Sequence, residues 1–247
     1  PFYVLDDRVM SSGADFEFTS VEQAALNCVD LVVAESQKYY SASDPNVRPG
    51  CLKIAVGGWS YGGVVMSCLA AIIDDRRKSG GDLNVDLEVV DIILFDSPLR
   101  EAVTVVTKQE EARVDSSPSS SSVERKSRLP SKESFSDISL LFKEENIDQI
   151  EAAPISEVAL AHFSKCTEIL EIFYRRPQHP VPVLTCPITH VRPRSGAHGS
   201  AESGTQELTS GSVSMIGSGG DHWTMLFGSN AVEASGIFKK WHANLKR

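Results

Sequence analysis

The sequence predicts an α/β fold built on a mostly parallel, doubly wound sheet, and two observations support that prediction. The run Leu87–Phe95, LEVVDIILF, is almost continuously apolar and β-branched, as expected of a strand buried on both faces of a parallel sheet. The segment VVMSCLAAIIDD before it is apolar nearly all round, as expected of a helix buried against such a sheet. An apolar strand that begins at about Cys51 precedes this helix. Strand, helix and strand in this order indicate a right-handed βαβ unit, whose ligands bind beyond the carboxyl ends of the strands.

The elements before this unit are a short strand and a helix. The opening PFYVLDD predicts a strand that runs into an acidic loop. Two overlapping capping boxes follow, Thr19 with Glu22 or Ser20 with Gln23, and they predict a helix from about Val21 to Tyr40. The Pro- and Gly-containing segment SASDPNVRPG is then a loop.

The middle of the chain differs in composition from both ends. Ala112–Ser136 is rich in serine and charged residues, which bury too little apolar surface to fold, so this segment predicts a disordered surface insertion. Two helical segments follow, over about Asp137–Ile150 and Ile155–Tyr174. A helical pair inserted between sheet strands is typical of a lid, so the sequence predicts a lid region over residues 100–180.

Strand character returns in the last quarter of the chain. The predicted core strand is Cys186–Val191, and the Gly- and Ser-rich loop Arg194–Ser212 separates it from a final strand, Val213–Ile216. Asn230 and Glu233 are predicted to cap a last helix, whose apolar residues recur at helical spacing.

Charge and hydropathy narrow the function classes. A net charge of -9 argues against a nucleic-acid partner, because phosphate binding depends on clustered Lys and Arg. No apolar run approaches the roughly 20 residues of a membrane span, and the first residues lack the layout of a signal peptide. The five cysteines show no CxxC spacing, so they predict neither a metal site nor a disulfide framework. These features predict a soluble, cytoplasmic domain.

The stretch VGGWSYGG places one serine among four glycines where a strand ends and a helix begins. So tight a turn strains its central residue and needs small neighbours. Gly58, Ser60 and Gly62 match the G-x-S-x-G nucleophile elbow, which requires a buried strand before it and a helix after it. The apolar strand that begins at about Cys51 and the helix after the turn meet that requirement, so Ser60 is the predicted nucleophile.

A serine hydroxyl needs a base to remove its proton as it attacks. Among the six histidines, only His222 follows the final strand in a glycine-rich loop that could bring an imidazole over the elbow. Asp96 ends the strand after the elbow helix, and we predict that its carboxylate orients this imidazole and stabilises the imidazolium. The chain order Ser60, Asp96, His222 agrees with that of α/β-hydrolases.

The other histidines and the nearby carboxylates are predicted to be structural. Asp221 is adjacent to His222 and too constrained to orient its ring. Further carboxylates around the elbow helix and the strand after it lie on other faces: Asp74, Asp75, Asp86 and Asp91. The remaining histidines lie in helical, strand, loop or terminal stretches: His162, His179, His190, His198 and His242.

Four motifs closely resemble the type I thioesterase domains that end polyketide synthases and nonribosomal peptide synthetases. They are GGWSYGGVV, the strand ending ILFDSP, the loop GGDHWTML, and the opening FYVLDD followed by FTSVEQAA. The resemblance covers the two ends of the chain and Cys51–Pro98, whereas about Arg100–Ser212 matches only in its lid-like character. A bare G-x-S-x-G is shared by lipases, esterases and peptidases, but DSP at this place is distinctive, because these thioesterases carry their aspartate where Asp96 stands.

The resemblance implies an α/β-hydrolase fold with a helical lid. It also implies that Ser60 takes a polyketide or peptide acyl chain from the phosphopantetheine thiol of an acyl or peptidyl carrier protein. Water, an internal hydroxyl or amine, or a carbon nucleophile then releases the chain. The backbone N–H of Tyr61 is the expected oxyanion donor. No metal or organic cofactor is expected, since the small-molecule acyl substrate arrives on the carrier.

Two other functions stay open at this point. The same three residues would serve a free-standing carboxylesterase that acts on oxygen esters. A carrier-docking module that has lost catalysis is the alternative outside enzymes. The sequence names neither the acyl chain nor the route of release, hydrolysis or cyclisation.

In the thioesterases that this chain resembles, a strand and a glycine-containing loop precede the region that matches PFYVLDD. That loop supplies the second oxyanion N–H. The chain is therefore expected to be an N-terminally truncated piece of a longer protein, with an incomplete oxyanion hole and an exposed sheet edge beside the elbow strand. The backbone of Asp6 or Asp7 is the alternative donor.

Overall fold

A computed structural model describes residues 18–41, 51–80, 85–97, 162, 164–170, 172–173, 183–195, 205–222 and 224–245. The chain divides into two units, one formed by Pro1–Glu17 with Ala102–Arg175 and the other by Phe18–Glu101 with Arg176–Arg247. In the first unit, the described residues 164–170 are helical and lie within the second helix predicted for the lid region. The sheet and every predicted site residue that the structure describes belong to the second unit.

The described residues of the second unit form a sheet of four parallel strands in the order in which they occur along the chain. The strands are β1 (Leu52–Trp59), β2 (Leu87–Phe95), β3 (Ile188–Pro193) and β4 (Val213–Ser218). A short 3-10 helix, Gln206–Leu208, lies between β3 and β4. All four strands were predicted from the sequence, and the bounds of β2 are the predicted ones. β3 begins and ends two residues later than predicted, and β4 continues two residues further.

The ladder between β1 and β2 contains one irregularity. Ile54 pairs with Val89, but Ala55 pairs with Asp91, so Val90 is an extra residue on β2. Such a bulge disturbs the alternation of side chains between the two faces of the sheet. Val89 packs on the same face as Ile92 rather than Ile93, which shows that the alternation is inverted across the bulge.

Within the described ranges, three helices flank the sheet: α1 (Val21–Ser41), α2 (Tyr61–Ser79) and α3 (Gly228–Asn244). α2 packs against β1 and β2, and α1 packs against α2. α1 buries side chains at helical spacing, which makes the contact with α2 possible: Val21, Ala24, Ala25 and Val29. Gly80 ends α2 in the left-handed conformation at φ 70, and its N–H donates to the carbonyl of Arg76.

Apolar cores fill both faces of the sheet. On one face, Ala70 and Ala71 of α2 pack with Ile92 and Leu94 of β2. On the other face, Trp241 of α3 packs with Ile93 of β2 and with other residues of β3 and the loop before α3. Helices on both faces of a parallel sheet make a three-layer α/β fold, so the predicted fold class is confirmed.

The two helix starts predicted from capping motifs have different outcomes. At α1, Ser20 Oγ accepts from the N–H of Gln23 at 3.1 Å, and Gln23 Oε1 accepts from the N–H of Thr19 at 2.9 Å. The box that starts at Ser20 is therefore the one that forms at the helix N-cap, although its glutamine reaches one residue further back than predicted. The predicted cap of the last helix by Asn230 and Glu233 is wrong, because α3 begins earlier, after Phe227.

Several predictions lie outside the described residues. These are the strand within PFYVLDD, the insertion Ala112–Ser136, the helix Asp137–Ile150 and most of the remaining lid region. Within the part of the chain that the structure describes, no helix is long and apolar enough to cross a membrane.

Candidate active site

Ser60 lies at the turn between β1 and α2 in a backbone conformation that residues with a side chain rarely adopt. Its φ is 53 and its ψ is -126. Its N–H donates to the carbonyl of Phe95 at 2.9 Å, and its own carbonyl accepts from the N–H of Gly63 at 3.0 Å. A strained conformation of this kind costs about 1–3 kcal/mol and persists only where the surroundings enforce it. Here β2 and the first turn of α2 hold the residue on both sides.

The glycines around Ser60 are required to different degrees. A Cβ on Gly58 would lie 2.5 Å from the carbonyl carbon and oxygen of Gly62, and a Cβ on Gly63 would lie 1.7 Å from Ser97 Oγ. A Cβ on Gly62 would have no atom within 4 Å among the described residues. Gly58 and Gly63 therefore let β1, α2 and the end of β2 approach one another, whereas Gly62 leaves open space.

Asp96 directly follows β2 and also has a positive φ, of 39. Its N–H donates to the carbonyl of Val191 on β3 at 2.7 Å, which extends the pairing of the two strands by one residue. The residue is 5% exposed. The carboxylate is therefore held at the carboxyl edge of the sheet and shielded from water.

His222 links the other two residues. Its Nε2 lies 3.0 Å from Ser60 Oγ, and its Nδ1 lies 2.7 Å from Asp96 Oδ2. An ionised carboxylate only accepts hydrogen bonds, so Nδ1 carries the proton in this arrangement. In the neutral ring Nε2 then has a free lone pair, and it accepts from the Ser60 hydroxyl. The three side chains predicted from the sequence thus form one hydrogen-bonded chain.

The loop that carries His222 is fixed by residues of α3. Glu233 Oε2 accepts from the N–H of Gly219 at 2.8 Å, and the same carboxylate pairs with the Arg194 guanidinium. The side-chain amide of Asn230 donates to the carbonyl of Thr224 at 3.3 Å. The backbone N–H and Arg194 together lower the pKa of Glu233. Asn230 and Glu233, predicted as cap residues, therefore hold the histidine loop instead.

Asp221 is engaged within the loop, as its position beside His222 led us to expect. Its Oδ1 accepts from the N–H of Thr224 at 2.9 Å, and its own N–H donates to Thr224 Oγ1 at 3.0 Å. Gly220 lies next to this turn with φ 78, a conformation that favours glycine. The carboxylate beside His222 thus shapes the turn, while Asp96 contacts the ring.

Two side chains at the site were not predicted from the sequence. The indole of Trp59 stacks on the imidazole of His222, with ring centroids 5.3 Å apart and an angle of 28° between the planes. The guanidinium of Arg192 on β3 approaches Asp96, with Nε 3.9 Å from Oδ1. The position of Trp59 beside Ser60 in the elbow motif was a usable signal. Arg192 had none, because its proximity to Asp96 depends on the pairing of β2 with β3.

Tyr61, whose N–H is the expected oxyanion donor, is the first residue of α2. The first N–H groups of a helix have no intrahelical acceptor and carry the positive end of the helix dipole. This position suits an N–H that must face a developing negative charge beside Ser60. The alternative second donors, Asp6 and Asp7, lie outside the described residues.

The histidines predicted to be structural have other surroundings where the structure describes them. His190 on β3 is 3% exposed, and its Nδ1 lies 3.0 Å from Thr205 Oγ1. Burial, with Arg192 as a smaller cause, lowers the pKa of His190 to about 4. His162 Nε2 lies 3.4 Å from Cys166 Sγ, and His242 stacks on Phe238. His179 and His198 lie outside the described residues.

Most of the carboxylates predicted to lie elsewhere have partners away from Ser60. Asp74 pairs with Lys78, and Asp86 pairs with Arg77. Asp91 Oδ1 accepts from the indole N–H of Trp241 at 2.8 Å, on the α3 face of the sheet. Among the described residues, no group of three or more His, Cys, Asp or Glu side chains is arranged to hold a metal ion.

Comparison with solved structures relates the fold to thioesterases. The match to the thioesterase domain of Vlm2, which was solved with a bound dodecadepsipeptide, spans 94% of this chain and 78% of the Vlm2 chain. Its TM-score is 0.54 and the sequence identity is 19%. The match to RedJ, a thioesterase of the prodiginine biosynthetic pathway of Streptomyces coelicolor, spans 90% of this chain and 67% of the RedJ chain. Its TM-score is 0.54 and the sequence identity is 16%. The match to the NocB thioesterase domain of the nocardicin cluster spans 96% of this chain and 79% of the NocB chain. Its TM-score is 0.52 and the sequence identity is 14%.

No family model and no curated protein sequence matches the chain. At identities of 14% to 19%, the likeness to these solved structures concerns the fold. The chain has the α/β-hydrolase fold of these thioesterase domains. The resemblance that the sequence motifs suggest is therefore confirmed at the level of the fold.

Proposed function

We propose that this domain is a thioesterase that releases a polyketide or peptide chain from a carrier protein through an acyl-enzyme on Ser60. The observation that carries the proposal is the hydrogen-bonded chain Ser60 Oγ, His222 Nε2 and Nδ1, Asp96 Oδ2, built on a strained turn at the carboxyl edge of the sheet. The fold shared with solved thioesterase domains supports the choice of substrate class.

In the first half of the reaction, Ser60 Oγ attacks the thioester carbonyl carbon while its proton passes to His222 Nε2. Asp96 holds the proton on Nδ1 and stabilises the imidazolium that forms. The N–H of Tyr61 donates to the oxyanion of the tetrahedral intermediate. The C–S bond then breaks, and His222 returns its proton to the sulfur of the phosphopantetheine thiol.

In the second half, the acyl-enzyme is released by a nucleophile. Water, or a hydroxyl or amine of the acyl chain itself, attacks the ester carbonyl as His222 Nε2 takes its proton. The bond between the carbonyl carbon and Ser60 Oγ breaks, and the proton returns to Ser60. Water yields an acid, and an internal nucleophile yields a ring.

A fluorophosphonate probe tests the nucleophile. We expect the probe to label the wild-type chain at Ser60 and to leave the Ser60→Ala variant unlabelled. Ser79→Ala is the matched control, because Ser79 lies at the exposed far end of the same helix and its hydroxyl donates to the carbonyl of Arg76 in its own turn. An unlabelled wild-type chain would favour the carrier-docking module without catalysis.

Matched substrates test the chemistry. Acyl N-acetylcysteamine thioesters are compared with oxygen esters of the same acyl group. We expect the larger kcat/KM for the thioesters, and a clear preference for the oxygen esters would favour the carboxylesterase. Mass spectrometry of Ser60 trapped with its natural acyl group identifies the chain, and analysis of the released product separates hydrolysis from cyclisation.

A further inference from the structure

Arg192 is the cation nearest to the carboxylate that holds His222 among the described residues. Its Nε lies 3.9 Å from Asp96 Oδ1, while Asp96 Oδ2 accepts from His222 Nδ1 at 2.7 Å. The Asp96 side chain is 4% exposed and that of Arg192 is 20% exposed. One buried carboxylate is thus shared between an imidazole and a guanidinium, one at each oxygen.

The pairing of β2 and β3 places the two side chains together. Phe95 pairs with Val191, and the N–H of Asp96 donates to the carbonyl of Val191. The next residue of β3, Arg192, therefore lies beside Asp96 at the carboxyl edge of the sheet. Backbone hydrogen bonds fix this neighbourhood, so it does not depend on the side-chain contact alone.

We propose that Arg192 is a positioning residue that balances the charge of Asp96 and thereby makes His222 a weaker base than an isolated Asp–His pair would contain. This inference rests on the proposed catalytic roles of Ser60, His222 and Asp96. Arg192 contacts neither Ser60 nor His222 in the described contacts, so it acts through Asp96.

Electrostatics gives the direction in which the charge of Arg192 changes the basicity of His222. An unpaired Asp96 carboxylate would stabilise the imidazolium of His222 and favour its protonated form. The nearby guanidinium opposes that stabilisation, so the neutral ring that accepts the Ser60 proton persists to lower pH.

The size of this effect depends on the distance between the Arg192 guanidinium and the His222 ring. The contacts of 3.9 Å and 2.7 Å, joined across one carboxylate, put the guanidinium nitrogen within about 9 Å of His222 Nδ1. At an effective dielectric constant of about 20, the interaction of two unit charges at that distance corresponds to somewhat more than about tenfold in an equilibrium constant. The partial exposure of Arg192 reduces this, so we expect removal of its charge to move the pH profile by about one unit.

Among the described residues, the other charged groups around the pair do not replace Arg192. His190, on the same strand, is buried, and burial holds its pKa near 4, so it is neutral where the enzyme would work. Asp221, beside His222, is bonded to Thr224. Glu233 of α3 is paired with Arg194. The first turn of α2 carries no acidic residue.

The test compares Arg192→Met, which removes the charge, with Arg192→Lys, which keeps it. Arg77→Met is the matched control, because Arg77 is an exposed arginine paired with Asp86 and Glu88 at the opposite end of β2. Two quantities are measured: the pH profile of kcat/KM and the NMR titration of the His222 ring, assigned by its loss in His222→Gln. If Arg192→Met does not fold, Arg192→Gln takes its place.

For Arg192→Met we expect the acidic limb of the profile and the His222 titration to move up by about one pH unit. We expect kcat/KM on the alkaline plateau to stay within about threefold of wild type. Arg192→Lys and Arg77→Met should titrate within about 0.3 unit of wild type. At a pH below the limb, Arg192→Met should lose about tenfold in kcat/KM.

If Arg192→Met lowers kcat/KM on the alkaline plateau but leaves the acidic limb of the pH profile where it is, Arg192 is a packing residue and the proposal is overturned. A downward shift would overturn it as well, and so would a Lys variant that behaves as the Met variant does. The NMR titration needs no substrate. A chain that is inactive on every thioester and ester would therefore contradict the proposed function while the effect of Arg192 on His222 is still decided.

Discussion

The backbone of Gly62 lies so close to Gly58 that a Cβ on Gly58 would come within 2.5 Å of the Gly62 carbonyl. Both atoms that would be struck belong to the main chain, so neither can rotate away. Gly58→Ala must therefore push α2 away from β1 and displace Ser60. We expect a loss of kcat/KM of about 10² or more, because small misplacements of a reacting group cost about that much, together with a lower Tm.

Gly62→Ala is the contrasting substitution within the same motif. No described atom lies within 4 Å of the added carbon, and alanine is about 0.5–1 kcal/mol better than glycine in a helix. We expect an unchanged or higher Tm and a kcat/KM within about tenfold of wild type. Equal effects of the two alanines would contradict the steric account of this turn.

Ser60 offers a pair of variants that separates chemistry from strain. Ser60→Ala and Ser60→Gly should both lose about 10⁶ in kcat, the usual cost of removing the nucleophile of a triad. Because φ is 53 at this position, glycine relieves strain that alanine retains, and we expect Ser60→Gly to be about 1 kcal/mol more stable than Ser60→Ala. Chemical denaturation of the two variants measures the difference. A more stable alanine variant would show that the turn is not strained.

Asp96→Asn tests the orientation of the imidazole. Asparagine tolerates the φ of 39 at this position, so the variant should fold. Its amide can donate to Nδ1 and favour the wrong tautomer of His222, for which we expect a loss of about 10⁴ in kcat at neutral pH. Near wild-type activity of Asp96→Asn would assign the acid to another residue.

His190 should make the protein sensitive to mild acid. Its pKa is about 4 in the folded chain, chiefly because of burial, against about 6.5 in an unfolded chain. A depressed pKa contributes stability that is present above pH 6.5 and is lost as the pH falls toward 4. The loss should be on the order of 3 kcal/mol. Denaturation of wild type and His190→Asn at several pH values checks it: the slope between pH 6.5 and 4 should be smaller in the variant.

Asp91 should change the stability with pH in the direction opposite to that of His190. Burial raises its pKa, although the indole of Trp241 and the N–H of Ile92 partly offset this. A raised pKa means that the ionised carboxylate weakens the fold at neutral pH and that this cost disappears as the pH falls through the raised value. Asp91→Asn keeps an acceptor for Trp241, so we expect a higher Tm at pH 7 and a smaller gain at pH 4.5.

Asp91→Ala provides the control, because it removes both the charge and the acceptor. We expect this variant to be less stable than Asp91→Asn at both pH values, since it leaves the buried indole N–H of Trp241 without that partner. A gain from Asp91→Asn that grows at acid pH would refute the assigned direction.

The sequence was most informative where local chemistry determines the structure. The bounds of β2 were predicted because its apolar run ends at the Asp-Ser-Pro turn, and Ser20 was one of the two predicted cap residues because capping is a local interaction. The cap predicted at Asn230 and Glu233 was wrong because the helix begins earlier, after Phe227, and those two side chains bond the loop that precedes it.

Contacts that depend on strand pairing could not be predicted from the sequence. Arg192 meets Asp96 only because β3 pairs with β2, and no spacing along the chain encodes that register. The extra residue Val90 was hidden for a related reason. A strand that is apolar on both faces shows no alternation from which an inversion could be detected.

That extra residue makes β2 one residue longer than an unbroken ladder with β1 requires. Before Val90 the odd-numbered residues face α2, and after it the even-numbered ones do, which is the phase that Asp96 continues. Deleting the codon for Val90 would restore an unbroken ladder and leave Asp96 on its present side, because Val89 and Ile92 already share a face and a regular strand needs one residue between them. In a survey of in-frame deletions, the chain without Val90 should therefore fold and keep its activity, which would make the bulge a tolerated insertion rather than a requirement of the site.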